Sequence, residues 1–140
     1  MDCFDADVVI YAAAPDHPLG RNVASLFAAA AEGGSPAGAG SVLLLPEVLG
    51  KPLRDGAHDQ VSVLAGLLAR LDLRPVDRAT ADLATVLSAR YRLRAADAVH
   101  LATAVAIGAD RFITNNHRDF SSAITEVDVT FPDALGSDLP

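Results

Sequence analysis

Apolar residues recur at helical spacing in several segments of this 140-residue chain and cluster in short runs between them. In residues 19–32 the apolar positions are Val23, Leu26, Phe27 and Ala30, and in residues 58–71 they are Val61, Leu64, Leu67, Leu68 and Leu71. Each set falls on one face of a helix. A further helix after Asp77 or Thr80, either of which can cap it, carries Leu83, Val86, Leu87 and Tyr91, and the next runs through Asp97 to Gly108. Short apolar or alternating runs at residues 1–5, 41–44, 73–76, 111–114 and 127–131 read as strands, the third ended or placed at an edge by Pro75. Residues 6–14 fit either a continuation of the first strand or a helix ended at Pro15, and a break near Asp5 is favoured. Residues 33–40 read as a Gly/Ser/Pro/Ala loop, a helix starts near Pro46, and residues 132–140 read as a tail.

Strands separated by helices predict an α/β fold in one domain spanning residues 1–140, with a five-stranded parallel sheet flanked by helices. A hydrophobic content of 51% is ample for one core. No uninterrupted apolar stretch reaches the roughly 18 residues of a membrane span, and the acidic start is unlike a secretory signal, so a cytoplasmic protein without membrane contact is expected. The single cysteine, Cys3, rules out an internal disulfide and a thiolate zinc cluster. A net charge of -7 argues against binding nucleic acid through a broad basic surface, unless cations held by the acids invert the local field.

Four acids stand in apolar surroundings: Asp5, Glu47, Asp97 and Asp119. Unpaired buried carboxylates neutralise or find cations. In a parallel sheet, sites form beyond the carboxyl ends of the strands, where Asp5 and residues 114–119 fall, while Glu47 and Asp97 lie near helix starts; all four can therefore converge. Carboxylates with water suit Mg²⁺ or Mn²⁺, and one or two such ions serve phosphodiester hydrolysis by activated water. Each acid also has a plainer reading. Asp5, Asp7 and Asp97 can cap helices, Glu47 can favour a first helical turn, and Asp119 can cap a turn. His100, on the same side of its helix as Asp97, is read as a hydrogen-bonded core residue and left out of the metal set. No zinc spacing and no phosphate-binding glycine loop occur.

Four segments carry a resemblance. Phe4-Asp5-Ala6-Asp7-Val8-Val9-Ile10-Tyr11, Pro46-Glu47-Val48-Leu49, Leu93-Arg94-Ala95-Ala96-Asp97-Ala98-Val99-His100-Leu101-Ala102-Thr103-Ala104 and Phe112-Ile113-Thr114-Asn115-Asn116-His117-Arg118-Asp119-Phe120 resemble the acidic motifs of PIN-domain proteins of the VapC type, the third most specifically. These are ribonuclease toxins of bacterial toxin-antitoxin pairs. The resemblance implies Mg²⁺ or Mn²⁺ held by Asp5, Glu47 and Asp97 with Asp119 as fourth acid, supported by Asp7, Thr114 and Asn116. Many relatives carry aspartate where Asn116 stands, so either Asn116 or Asp119 completes the site. It further implies transfer or ribosomal RNA as substrate, a homodimer, and a small antitoxin protein as partner. Arg92 and Arg94, with Arg21, Arg54 and Arg90, are candidates for holding RNA. Two other readings stand beside it. Asp5-Ala6-Asp7 also resembles the first motif of haloacid-dehalogenase-like phosphatases, although Val9 stands where a threonine is expected; and a PIN-like fold can bind RNA or protein without cutting.

Overall fold

A computed structural model describes residues 1–14, 16–31 and 34–135. The elements are β1 (Asp2–Phe4), α1 (Ala6–Ala12), α2 (Pro18–Ala31), β2 (Gly38–Ser41), α3 (Leu44–Arg54), α4 (His58–Leu68), β3 (Leu71–Arg74), α5 (Arg78–Tyr91), α6 (Ala95–Ala106), β4 (Arg111–Ile113), β5 (Asp128–Thr130) and α7 (Pro132–Leu135). All strand pairs are parallel and the order is β3-β2-β1-β4-β5, so the expected five-stranded parallel sheet is present with β1 at its centre.

Alternation along the central strands divides the core. Phe4 and Ile113 face one side, with Val8, Val9, Val23, Phe27, Leu44, Val48, Leu64 and Leu68 from α1 to α4. Cys3 and Phe112 face the other, with Leu87 of α5, Leu101 of α6, and Phe120. Burial on both faces is what a parallel sheet requires. It also makes Cys3 chemically quiet, since burial, its largest influence, pushes the thiol up to about 12.

Several local expectations are met through identifiable contacts. Asp77 caps α5, its carboxylate accepting the Thr80 N–H at 2.8 Å, and Pro75 follows β3, which is an edge strand. Gly108, just beyond α6, has φ of +66°, the left-handed conformation that glycine adopts without penalty. The break after the first strand falls at Asp5, whose carboxylate caps α1.

Several expectations need correction. The third strand is Leu71–Arg74 and not residues 73–76, so Leu71, expected on the helical face of residues 58–71, instead opens a strand after α4 ends at Leu68. The second strand is Gly38–Ser41, inside the presumed loop, and α3 begins at Leu44 rather than near Pro46. Gly38 looks like loop chemistry but is a packing requirement: a Cβ there would sit 2.4 Å from Phe4 Cε2 and 2.6 Å from the Asp2 carbonyl oxygen. The presumed tail holds α7, tied down by Asn22 Nδ2 donating to the Pro132 carbonyl at 2.9 Å; residues 136–140 lie outside the described part.

The connections from β1 lead through α1 and α2 to β2 on one side, while β4 continues to β5 on the other. The chain thus reverses direction across the sheet between β1 and β4. A crevice opens at such a switch point beyond the strand carboxyl ends. Asp5 follows β1 directly, and Thr114, Asn115 and Asn116 follow β4.

Candidate active site

The crevice is an open cleft of about 510 Å³ lined by Asp5, Ala6, Asp7, Ile10, Tyr11, Glu47, Asp97, Asn115 and Asn116. Three of the four expected acids therefore line one cleft, supplied by the end of β1, the first turn of α3 and the first turn of α6. A hollow of about 530 Å³ near Ala57 and a smaller one of about 400 Å³ near Arg70 lack this concentration of carboxylates.

Asp5 is the most fixed member. It is buried, and its oxygens accept the Ala6 N–H at 2.8 Å and the Thr114 hydroxyl at 2.8 Å. Its own N–H donates to the Ile113 carbonyl at 3.0 Å, extending the ladder between β1 and β4. Thr114, fully buried, also accepts the Asn116 N–H at 3.1 Å. The loop after β4 is thereby pinned to the acid after β1.

Asp7 sits one step along α1. One of its oxygens accepts the Asn115 N–H at 3.1 Å, and the other, Oδ1, is buried with no hydrogen-bond partner. Glu47 is bound by His100, whose Nε2 lies 2.7 Å from Oε1 across 53 residues of sequence. His100 is fully buried and its Nδ1 has no partner. The core reading of His100 is therefore incomplete: it is a buried hydrogen-bonded residue whose partner is one of the cleft acids. Its position one turn beyond Asp97 was the available signal. Asn115 and Tyr11 also line the cleft, with Asn115 Nδ2 donating to the Tyr11 hydroxyl at 3.4 Å, and neither stood out in the sequence.

Asp119 does not line the cleft. It accepts from Asn116 Nδ2 at 2.9 Å, while its N–H donates to Asn116 Oδ1 at 3.1 Å. Asn116 thus presents itself to the cleft with Asp119 bracing it from behind. Arg92 and Arg94 are exposed on the turn between α5 and α6, Arg92 with φ of 57° in the left-handed region. Arg90 is engaged by Glu126 at 2.7 Å.

The electrostatics are those of a site short of positive charge. Among the described residues no arginine or lysine forms a salt bridge with Asp5, Asp7, Asp97 or Asp119. Burial foremost raises the carboxyls of Asp5 and Asp97 above the ordinary aspartate range, with Glu47 adding to both and Asp5 and Asp119 to Asp97. Asp7 is pushed up to about 7, by burial first and then by Asp5. For His100, burial works against the charged form, but the Glu47 hydrogen bond and the charges of Asp5, Glu47 and Asp97 outweigh it and raise its value. Crowded carboxylates and an orphaned Asp7 oxygen fit a hard divalent cation. Among the described residues no three His, Cys, Asp or Glu side chains form a closed chelating group as they stand. An open cleft of this kind suits a cation that keeps much of its water and takes one or two protein carboxylates, as magnesium does.

The PIN domain family model matches residues 3–124. The chain belongs to the PIN domain family. Members are generally nucleases that use divalent metal ions, and the match sets aside the haloacid-dehalogenase-like alternative. No curated protein matches the chain at the level of sequence. Among solved structures, this PIN domain is similar to a chain of a toxin-antitoxin complex from Klebsiella pneumoniae, with a TM-score of 0.71, 23% identity, and coverage of 94% of this chain and 98% of that one. It is also similar to a chain of VapBC2 from Rickettsia felis bound to a DNA fragment from their promoter, with a TM-score of 0.73, 16% identity, and coverage of 93% and 97%. At these identities the likeness establishes the fold. Among the described residues no helix is long and apolar enough to cross a membrane.

Proposed function

We propose that this PIN domain is a cytoplasmic, metal-dependent endoribonuclease and the VapC-type toxin of a type II toxin-antitoxin pair, acting on transfer or ribosomal RNA as a homodimer and silenced by a small antitoxin protein. The observation that carries the nuclease reading is the convergence of Asp5, Glu47 and Asp97 on one cleft at the sheet's switch point, with no arginine or lysine among the described residues salt-bridged to Asp5 or Asp97. The toxin reading is supported by the likeness of 93–94% of this chain to chains of two toxin-antitoxin structures.

In this reading Asp5, Glu47 and Asp97 hold Mg²⁺ or Mn²⁺, and Asp119 contributes through Asn116, which it braces. Such a cation supplies Lewis acidity toward water and neutralises charge on the leaving oxygen. The chain's own part is to hold the oxygen donors in place. Thr114 and the Ala6 N–H fix the two oxygens of Asp5, and His100 fixes Glu47. Asn115 and Asn116 offer amides on the same wall for a phosphate or the incoming water. Arg92 and Arg94 are exposed donors for the RNA backbone.

The test is cleavage of pooled transfer and ribosomal RNA by purified protein with Mg²⁺ or Mn²⁺. Cleavage should stop on adding a chelator and be lost in Asp5→Asn and Asp97→Asn. Activity persisting in both variants overturns the assignment, and RNA binding with no cleavage under any divalent ion identifies a non-cutting module instead.

A further inference from the structure

Beside the acidic cleft the structure has an aromatic pair that the hydrolytic reading does not use. The His117 ring lies on Phe131 with centroids 3.7 Å apart and planes 16° apart, a parallel stack. His117 is exposed, and its side chain has no hydrogen-bond partner among the described residues, whereas Phe131 is half-buried and follows β5. One face of the imidazole is therefore covered by Phe131, while the residue as a whole stays exposed.

The backbone ties this pair to the cleft. The His117 N–H donates to the Asn115 carbonyl at 3.0 Å, and Asn115 lines the cleft with Asn116. Thr114, which holds Asp5, donates its own N–H to the carbonyl of Thr130, the residue before Phe131, at 3.1 Å. Both halves of the stack thus hang from strand ends that also position Asp5. An exposed planar ring braced by a second ring offers preformed area with little conformational freedom left to lose on binding. Every nucleobase has a face that can stack on such a ring regardless of sequence. A base can reach it only when unpaired, because duplex stacking hides base faces from side chains.

We propose that the exposed face of His117, backed by Phe131, is a stacking platform for an unpaired nucleobase of the strand whose phosphate occupies the acidic cleft. This rests on the RNA reading above and adds to it the side chain that holds a base beside the cleft. The ligand class is an unpaired base of any identity. His117 acts on binding, so its loss appears in affinity.

The experiment measures fluorescence anisotropy of the full chain with a short random-sequence single-stranded RNA, an abasic strand of equal length, and an RNA duplex, all with Ca²⁺. Wild type should bind the single strand about 5- to 150-fold more tightly than His117→Ala does, the range of one base-aromatic stack. His117→Phe should restore the affinity. The abasic strand and the duplex should be bound equally by wild type and His117→Ala. Melting curves of both variants verify that they fold, and His117→Phe keeps the test decisive should the alanine variant be damaged. Equal single-strand affinity in all three proteins overturns the platform while leaving the RNA reading intact. Failure of wild type to bind any of the three nucleic acids overturns both.

Discussion

Asp5 stands 5% exposed with both carboxylate oxygens taken by hydrogen bonds, whereas the Glu47 side chain is 34% exposed and has a single partner, His100. The first is fixed by two adjacent strands: β1 delivers it, and β4 delivers Thr114, with the strands in register as Phe4 to Ile113. The second is carried by a helix and held by the tip of a side chain from another helix, α6. One side of the cleft is therefore built by backbone pairing and the other by side-chain contact. The strand-built side tolerates no rearrangement without disturbing the sheet, and the helix-built side can yield locally.

The largest effect expected from this difference is on activity at the fixed side. Asp5→Asn keeps a side-chain oxygen for the α1 cap and nearly the same shape, yet removes the charge. RNA cleavage should fall by at least about a hundredfold, the scale of removing one preorganised electrostatic group. Without metal, the same variant should melt at or above the wild-type temperature, because burial raises the Asp5 carboxyl and its charge disfavours the fold. A variant that is both inactive and destabilised would show that the charge is structural.

Acidity tests the same corner in the metal-free protein. A carboxyl raised in the folded state binds its proton more tightly there, so its penalty on folding is absent below the unfolded value of 3.8 and grows as pH rises; for Asp7 it is complete above about 7. His100 acts in the same direction. Its raised value adds stability that is present below the unfolded value of 6.5 and lost as pH climbs through the folded one. The metal-free protein should therefore melt several degrees higher near pH 5 than near pH 8. Saturating Mg²⁺ should flatten that slope, because ligand carboxylates then stay deprotonated. A melting temperature that rises with pH between those points, without metal, would contradict the assigned burial of these groups.

These acids differ equally in how far the sequence revealed them. Asp97 was legible because a carboxylate in a helix of alanine, valine and leucine has few polar partners, and Asp77 because capping chemistry is local. The parallel sheet, and the placing of sites beyond its carboxyl ends, follow from alternation of strands and helices, whereas the order β3-β2-β1-β4-β5 and the switch point between β1 and β4 do not. What stayed hidden depends on contacts distant in sequence. Position 38 of β2 is a glycine because Phe4 fills the space a side chain would need, and His100 reaches Glu47 across 53 residues. Asp119, one of four comparable acids in the sequence, stands behind Asn116 because the turn folds back on itself. No periodicity reports on any of these.

On the helix-built side the expected changes in stability are smaller and depend on chemistry. Glu47→Ala strips His100 Nε2 of its partner, leaving an imidazole with both nitrogens unpaired in a fully buried position, which costs about 1–3 kcal/mol. Glu47→Gln keeps an oxygen for the same hydrogen bond, and its stability should stay within about 0.5 kcal/mol of wild type, while its activity falls with the lost charge. Denaturant titrations of both variants, read beside their cleavage rates, separate the role of Glu47 as a partner of His100 from its role in the cleft. Equal destabilisation by the two substitutions would mean that the charge, and not the hydrogen bond, holds this corner.

A further small effect on stability should come from Asn116→Asp, which places a second carboxylate beside Asp119. Here it faces Asp119 at the 2.9 Å distance now spanned by an N–H donor, so a hydrogen bond is replaced by like charges. Without metal the variant should lose about 1 kcal/mol, the net worth of one such bond. Calorimetric titration with Mn²⁺ then decides what Asn116 is for. Tighter binding of the ion, with stability restored on loading, means that the cleft accepts a further acid and that Asp119 serves it from behind. Unchanged affinity means that Asn116 and Asp119 form a brace that must stay neutral on the cleft side. In that case the amide, directed at phosphate or water, is what Asn116 supplies to the cleft.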